Sequence, residues 1–346
     1  MDNGRIGILT GGGDCPGLNA VIRAVVRRAM LADIYVLGVK SGWQGLITGD
    51  VEPLTRYSVA GIQPKGGTIL GTSRTDPFTV PDALAKIKTN WRKFGLRALV
   101  VAGGNGTLSV AMRMFREEGY AVVGVPKTID NDIVGTDVTF GFHTAVQIAT
   151  DAIDRLHTTA ESHDRVMVVE VMGRDTGWIA TYAGIAGGAT IILIPEQPFD
   201  IDEVCAVIER RHDRGRYASI VVVAEGAAPA GGTLELPTYK LGKGGHRRLG
   251  GIAAVLAAEI EARTGFDTRV VQIGHVQRGG TPNAYDRVLS TRYGLAAIDA
   301  VHDRAWGEMV VLRSTVISRA PLTTAVGKTR TVDMNLYEGV AEVFFG

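Results

Sequence analysis

The chain has 346 residues, enough for two domains and a large buried core. Hydrophobic residues make up 45% and charged residues 21%, and the formal net charge of +1 argues against nucleic acid or an anionic membrane surface as a partner. There is no run of ~18 uncharged apolar residues and no basic leader before RIGILT, so a soluble cytoplasmic protein is expected. In chain order, RIGILT (5–10) predicts a strand, LNAVIRAVVRRAM (18–30) a helix with apolar positions near i, i+3 and i+4, and IYVLGV (34–39) a second strand. ALVVAG (98–103), AVVGVP (121–126), VMVVEVMG (166–173), TIILIP (190–195), SIVVVAEG (219–226), RVVQIG (269–274) and MVVLRS (309–314) repeat the strand pattern. Apolar runs without polar alternation are those of buried parallel strands, and their alternation with helices predicts an α/β protein. About ten strands over this length predict two doubly wound sheets rather than one.

Glycine is over-represented, at 45 residues, and it clusters where the apolar runs end. Ligands of open α/β sheets sit beyond the carboxyl ends of the strands. There the sequence places GGGDCPG, GGNGT, KTIDND, GRDTG, EG and GHVQRGG, each combining glycine or a charged residue with polar side chains. TGGGDCPGLN, between a strand and a helix, predicts an anion site built from backbone N–H groups. It is not a Walker A loop, because no Gly-Lys-Ser/Thr follows, and Pro16 stands where a dinucleotide fingerprint needs its third glycine. GGNGTLS misses that fingerprint too, with Ser109 at the third position. Together with GGTILGTSR (66–74), closed by Arg74, these loops suit a polyphosphate.

Arg165, Arg174, Arg269, His275 and Arg278 all flank strands. Any one of them reads more readily as a solvated or structural ion pair, but as a set they suit a doubly anionic sugar phosphate. In VPKTIDNDI, Asp130 and Asp132 would share a face if the segment were extended, and a carboxylate there could accept a hydroxyl proton during phosphoryl transfer. The Gly/Pro-rich stretch 225–251 reads as a long loop or insertion, and the two cysteines, Cys15 and Cys205, suit a reducing compartment.

Long blocks of this chain, RIGILTGGGDCPGLNAVIR, PKTIDND, ESHDRVMVVEVMGR, IPEQPF and GHVQRGGTPNAYDR, resemble the phosphofructokinase family, whose members phosphorylate fructose 6-phosphate at its 1-hydroxyl. The resemblance implies two Rossmann-like domains. Residues 1–141 with 278–320 would bind the donor, and 142–277 with 321–346 the sugar phosphate. It implies Asp130 as the base, Thr128 beside the transferred phosphate and Arg174 stabilising it. Met172, Gly173 and Glu225 would frame the sugar, and His275 and Arg278 would hold the 6-phosphate. Arg165 and Arg269 would reach that phosphate from a neighbouring subunit, implying a homo-oligomer, usually a tetramer. Gly13, Arg74, Thr75 and Gly104 to Thr107 would contact the donor.

The donor is marked by two positions. Lys127 is typical of pyrophosphate users, whereas Gly106 leaves room for adenosine, and Gly106 is weighted more, so ATP is the expected donor. Asn105 stands where the family has an acidic ligand for Mg2+, the expected cofactor; its amide oxygen can ligate, but without charge. Alternatives are a pyrophosphate-dependent enzyme, a kinase for another sugar phosphate such as sedoheptulose 7-phosphate, and a weakly active sugar-phosphate-binding subunit. Arg23, Arg27 and Arg56 resemble effector-site arginines of regulated members.

Overall fold

In a computed structural model the described residues are 4–231, 234 and 250–345. Most of the stretch expected to form an insertion, 227–250, lies outside them. The chain divides into two compact units, 1–144 with 278–329 and 145–277 with 330–346. The last crossing thus falls after Thr329 rather than after residue 320.

The first unit is built on β1 (Arg5–Gly11), α1 (Leu18–Leu31), β2 (Tyr35–Val39), α2 (Trp43–Thr48), β3 (Val51–Leu54), α3 (Ala83–Phe94), β4 (Leu96–Gly103), α4 (Asn105–Arg116) and β5 (Val122–Pro126). The chain then enters the second unit through α5 (Phe142–His163). That unit carries β6 (Val166–Val171), α6 (Trp178–Ala186), β7 (Ile191–Leu193), α7 (Ile201–Asp213), β8 (Ser219–Ala224), α8 (Ile252–Thr264) and β9 (Thr268–Gln272). It returns to the first unit with α9 (Ala284–His302), β10 (Glu308–Arg313) and β11 (Val316–Pro321).

The first sheet has the order β11-β10-β5-β4-β1-β2-β3. Its five inner strands are parallel, and the two rim strands are antiparallel to their neighbours. Both rims carry a proline, Pro53 in β3 and Pro321 at the end of β11. Proline has no N–H, so it is confined to such edges. These rim strands were not expected from the sequence, because VEPL and VISRAP lack the apolar run that marks a buried strand. The second sheet, β7-β8-β6-β9, is parallel throughout. Its central strands β6 and β8 are buried along their whole length, as their largely apolar runs predict, with Glu170 the charged exception within β6. Parallel strands place all their carboxyl ends on one side, so each unit gathers the loops that follow its strands. Among the described residues no helix is long and apolar enough to cross a membrane.

Candidate active site

In the first unit, three loops converge beyond β1, β4 and β5. The loop after β1 is laced to residues 68–73: Gly12 N–H donates to the Ser73 carbonyl at 2.9 Å, Thr72 Oγ1 to the Gly12 carbonyl at 2.6 Å, and Thr10 Oγ1 to the Gly71 carbonyl at 2.8 Å. Two of the three Gly-rich segments expected to act together, TGGGDCPGLN and GGTILGTSR, are thus hydrogen-bonded to each other. Arg74, at its end, is exposed, and Thr75 Oγ1 lies 3.3 Å from Gln44 Oε1.

The loop after β4 opens α4 directly. Gly104 is its N-cap, with no side-chain hydrogen bond to the first turn and no acidic residue within it. Free N–H groups at a helix start favour an anion. Gly103 lets this turn pack onto the sheet: an added Cβ would sit 2.3 Å from Thr107 Cβ. By contrast, a Cβ added at Gly106 meets nothing within 4 Å.

The loop after β5 holds the carboxylates. Asp130 N–H donates to Thr128 Oγ1 at 3.0 Å, and the Thr128 hydroxyl lies 3.4 Å from Asp130 Oδ2. Asn131 has a left-handed φ of 53°, so the segment is not extended and the alternating shared face expected of Asp130 and Asp132 does not form. Asn131 is fixed there by Thr139, whose N–H donates to its Oδ1 at 3.0 Å while the Thr139 hydroxyl bonds the Thr128 carbonyl at 2.8 Å. Asp130 remains half-buried. Asp132 instead meets Asn105, whose Nδ2 donates to Asp132 Oδ2 at 3.0 Å.

That pairing turns the Asn105 oxygen away. Oδ1 is buried and accepts no hydrogen bond from any described residue. A hard cation is a natural partner for a buried, unsatisfied amide oxygen beside a carboxylate. No group of three or more His, Cys, Asp or Glu among the described residues could hold a metal by itself. The orphaned Asn105 oxygen beside the Asp132 carboxylate fits Mg2+ of the kind that shares its coordination with phosphate oxygens and water.

Lys127 is only 3% exposed and its Nζ donates to the Gly13 carbonyl, tying the end of β5 to the loop after β1. Burial pushes its ammonium below the ordinary lysine range, with Arg278 adding to the effect and Asp130 and Asp132 opposing it. Arg278, expected on a sugar 6-phosphate, lies against the same loop, with Nη1 3.4 Å from the Asp14 carbonyl. Cys15 in this loop is fully buried, which pushes its thiol far up and makes it inert.

In the second unit, Met172, Gly173 and Arg174 leave the sheet after β6, so that strand ends two residues sooner than VMVVEVMG implied. Gly173 has φ 148°, a conformation closed to most side chains. Its carbonyl accepts from Gly226 N–H at 3.0 Å, and Glu225 N–H donates to the Val171 carbonyl at 2.9 Å. Glu225 and the 172–174 loop are thereby neighbours. His275 is exposed beyond β9, at the same end of the sheet. Arg165 and Arg269 lie elsewhere. Arg165 precedes β6 and Arg269 pairs in register with Met167, near the opposite strand ends. The length of β6, about 17 Å, separates Arg165 from Arg174 along the sheet. Asp267 pairs with both arginines, one through each carboxylate oxygen. Of the arginines resembling effector ligands, Arg23 and Arg27 lie one turn apart on α1 and Arg56 is exposed over the Tyr57 ring.

Glu196 was not among the residues expected at the site. Its carboxylate accepts from Gly177 N–H at 2.9 and 3.1 Å and from Val332 N–H at 2.9 Å. The only local cue is a glutamate just past an apolar strand, in IPEQPF, which does not name its partners.

Anion-ready loops beside a turn bearing a carboxylate, on parallel sheets, define a phosphotransferase-like α/β protein. The phosphofructokinase family model matches residues 5–301. The chain is 56% identical to a pyrophosphate–fructose 6-phosphate 1-phosphotransferase of Streptomyces coelicolor, over 99% of this chain and 100% of that one. It is 53% identical to an ATP-dependent 6-phosphofructokinase of Mycobacterium tuberculosis, over 99% and 100%. Among solved structures, Saccharomyces cerevisiae phosphofructokinase superposes with a TM-score of 0.79 at 33% identity, covering 93% of this chain and 45% of the yeast chain. The chain belongs to the phosphofructokinase family, phosphotransferases with a sugar-phosphate alcohol as acceptor.

Proposed function

We propose that this protein is a 6-phosphofructokinase that transfers the γ-phosphoryl group of ATP to the 1-hydroxyl of fructose 6-phosphate. The carrying observation is the open space at Gly106, where even a Cβ would meet nothing within 4 Å. Lys127 supports it from the other side. Its Nζ is committed to the Gly13 carbonyl and buried, so it braces the donor loop rather than filling the space a nucleoside needs.

In this reading the first unit binds the donor, with the α4 N-terminus and the loops after β1 and β4 taking the phosphates. Asn105 and Asp132 would hold Mg2+, which when bound neutralises phosphate charge. Thr128 positions Asp130, which takes the proton of the sugar hydroxyl as it attacks. Arg174 stabilises the transferred phosphoryl, and Met172, Gly173, Glu225, His275 and Arg278 bind the sugar phosphate. Arg165 and Arg269, exposed by 30% and 50% at the far end of their sheet, serve a second copy of the chain, consistent with a homotetramer in the cytoplasm.

A second reading, pyrophosphate as donor, is favoured by the Streptomyces relative's name and identity. Steady-state assays with ATP and with pyrophosphate as sole donor separate the two. Turnover with ATP is expected, and turnover with pyrophosphate alone would overturn the reading. Gly106→Asp, placed in open space, should impair ATP use far more than pyrophosphate use.

A further inference from the structure

Arg174 is not held by its own side-chain partners. Its side chain is 40% exposed, and its ion-pair partner, Asp175, is 3.7 Å away with a side chain 68% exposed, an arrangement that fixes little. The direction of Arg174 must come from its backbone. That backbone is a short loop between two anchors. The first is at Gly173, where Gly226 N–H binds the carbonyl. A Cβ on Gly226 would lie 1.9 Å from the Arg174 carbonyl, so the two backbones are in close contact.

The second anchor is at Gly177, the N-cap of α6. Glycine has no side chain to cap the helix, and the first turn holds no acidic residue. Glu196, nineteen residues on, supplies the missing carboxylate, with both oxygens within 3.1 Å of Gly177 N. An anion there also meets the positive end of the helix. The same carboxylate accepts from Val332 N–H, and Trp178 Nε1 donates to the Arg330 carbonyl at 2.9 Å. The loop's far end is therefore tied to the C-terminal segment of the same unit.

We propose that Glu196 is a positioning residue for the phosphoryl-stabilising Arg174, acting through the N–H of Gly177. The assignment rests on the role given to Arg174 above. Glu196 touches no substrate; it holds the second end of the loop from which the arginine reaches.

The test compares Glu196→Ala and Glu196→Gln, each in the native and in the Arg174→Ala background. The readouts are kcat, the KM for the sugar phosphate and hydrogen exchange of residues 174–178. Glu196→Ala should lower kcat roughly 10- to 100-fold, the range for a catalytic group displaced by about 1 Å, with KM changed by less than about 2-fold. Exchange at 174–178 should accelerate. Glu196→Gln retains an oxygen acceptor and should recover most of the kcat. In the Arg174→Ala background, Glu196→Ala should change kcat by less than about 2-fold, because residues acting as a unit are non-additive. Equal losses in both backgrounds, or unchanged exchange, would overturn the proposal while leaving Arg174 in its role. Parental kcat in Arg174→Ala alone would remove that arginine from the chemistry, and the proposal with it.

Discussion

In the function proposed above, the two units prepare for anions by different means. The first uses backbone: an uncapped helix start at α4, glycines after β1 and β4, and a lysine buried to brace the loop. The second would use side chains mounted around a buried parallel sheet: the half-buried Arg165 and Arg174 and the exposed Arg269 and His275. Backbone donors lose no side-chain freedom on binding and, short of proline, survive substitution. Arginines offer forked, charged hydrogen bonds but depend on whatever holds them. A backbone-built site should therefore be sensitive to added atoms, and a side-chain-built one to removed atoms and to salt.

The largest effect expected is at the one place where the backbone-built half does side-chain chemistry. Asp130→Asn should lower kcat by at least ~10²-fold while sugar-phosphate binding stays largely intact, as expected for loss of a general base. Near-parental kcat would remove Asp130 from the mechanism and leave the first unit as a pure binding frame. Next comes a single added methyl group. Gly103→Ala forces a Cβ to within 2.3 Å of Thr107, and the overpacking should cost about 1–3 kcal/mol, read as a lowered thermal midpoint. A midpoint unchanged within error would show that α4 packs less tightly on β4 than the geometry implies. The smallest effect separates the units by screening. Raising ionic strength from about 0.05 to about 0.5 M should raise the KM for the sugar phosphate more than that for the donor, because the full charges of arginines are screened more than the partial charges of backbone N–H groups. Equal sensitivity would erase the distinction.

Much of this was legible in the sequence for a physical reason. Buried parallel strands leave a largely apolar signature: RIGILT became β1 almost residue for residue, and SIVVVAEG became β8 with its last two residues beyond the strand. The rim strands β3 and β11 escaped because an edge needs neither apolar continuity nor every N–H. The Gly-rich loops announced themselves by composition, but their lacing did not: Lys127 and Gly13 are 114 positions apart, and Glu196 and Val332 are 136. Nothing local records such pairings. The shared face expected of Asp130 and Asp132 failed because a left-handed Asn131, held by Thr139, reverses the chain between them. Asparagine tolerates that conformation better than most residues, which was the one cue available.

The prolines at both rims of the seven-stranded sheet carry a consequence for the protein at high concentration. An edge strand with a full row of unpaired donors and acceptors is a template on which another chain can add a strand and begin a fibre. Pro53 and Pro321 each delete a donor from the strand that would serve as that template, and β3 is only four residues long. Once this sheet has formed, growth by strand addition is disfavoured at either rim. Aggregates that grow by strand pairing on this sheet should then arise from chains in which its rims are not yet in place.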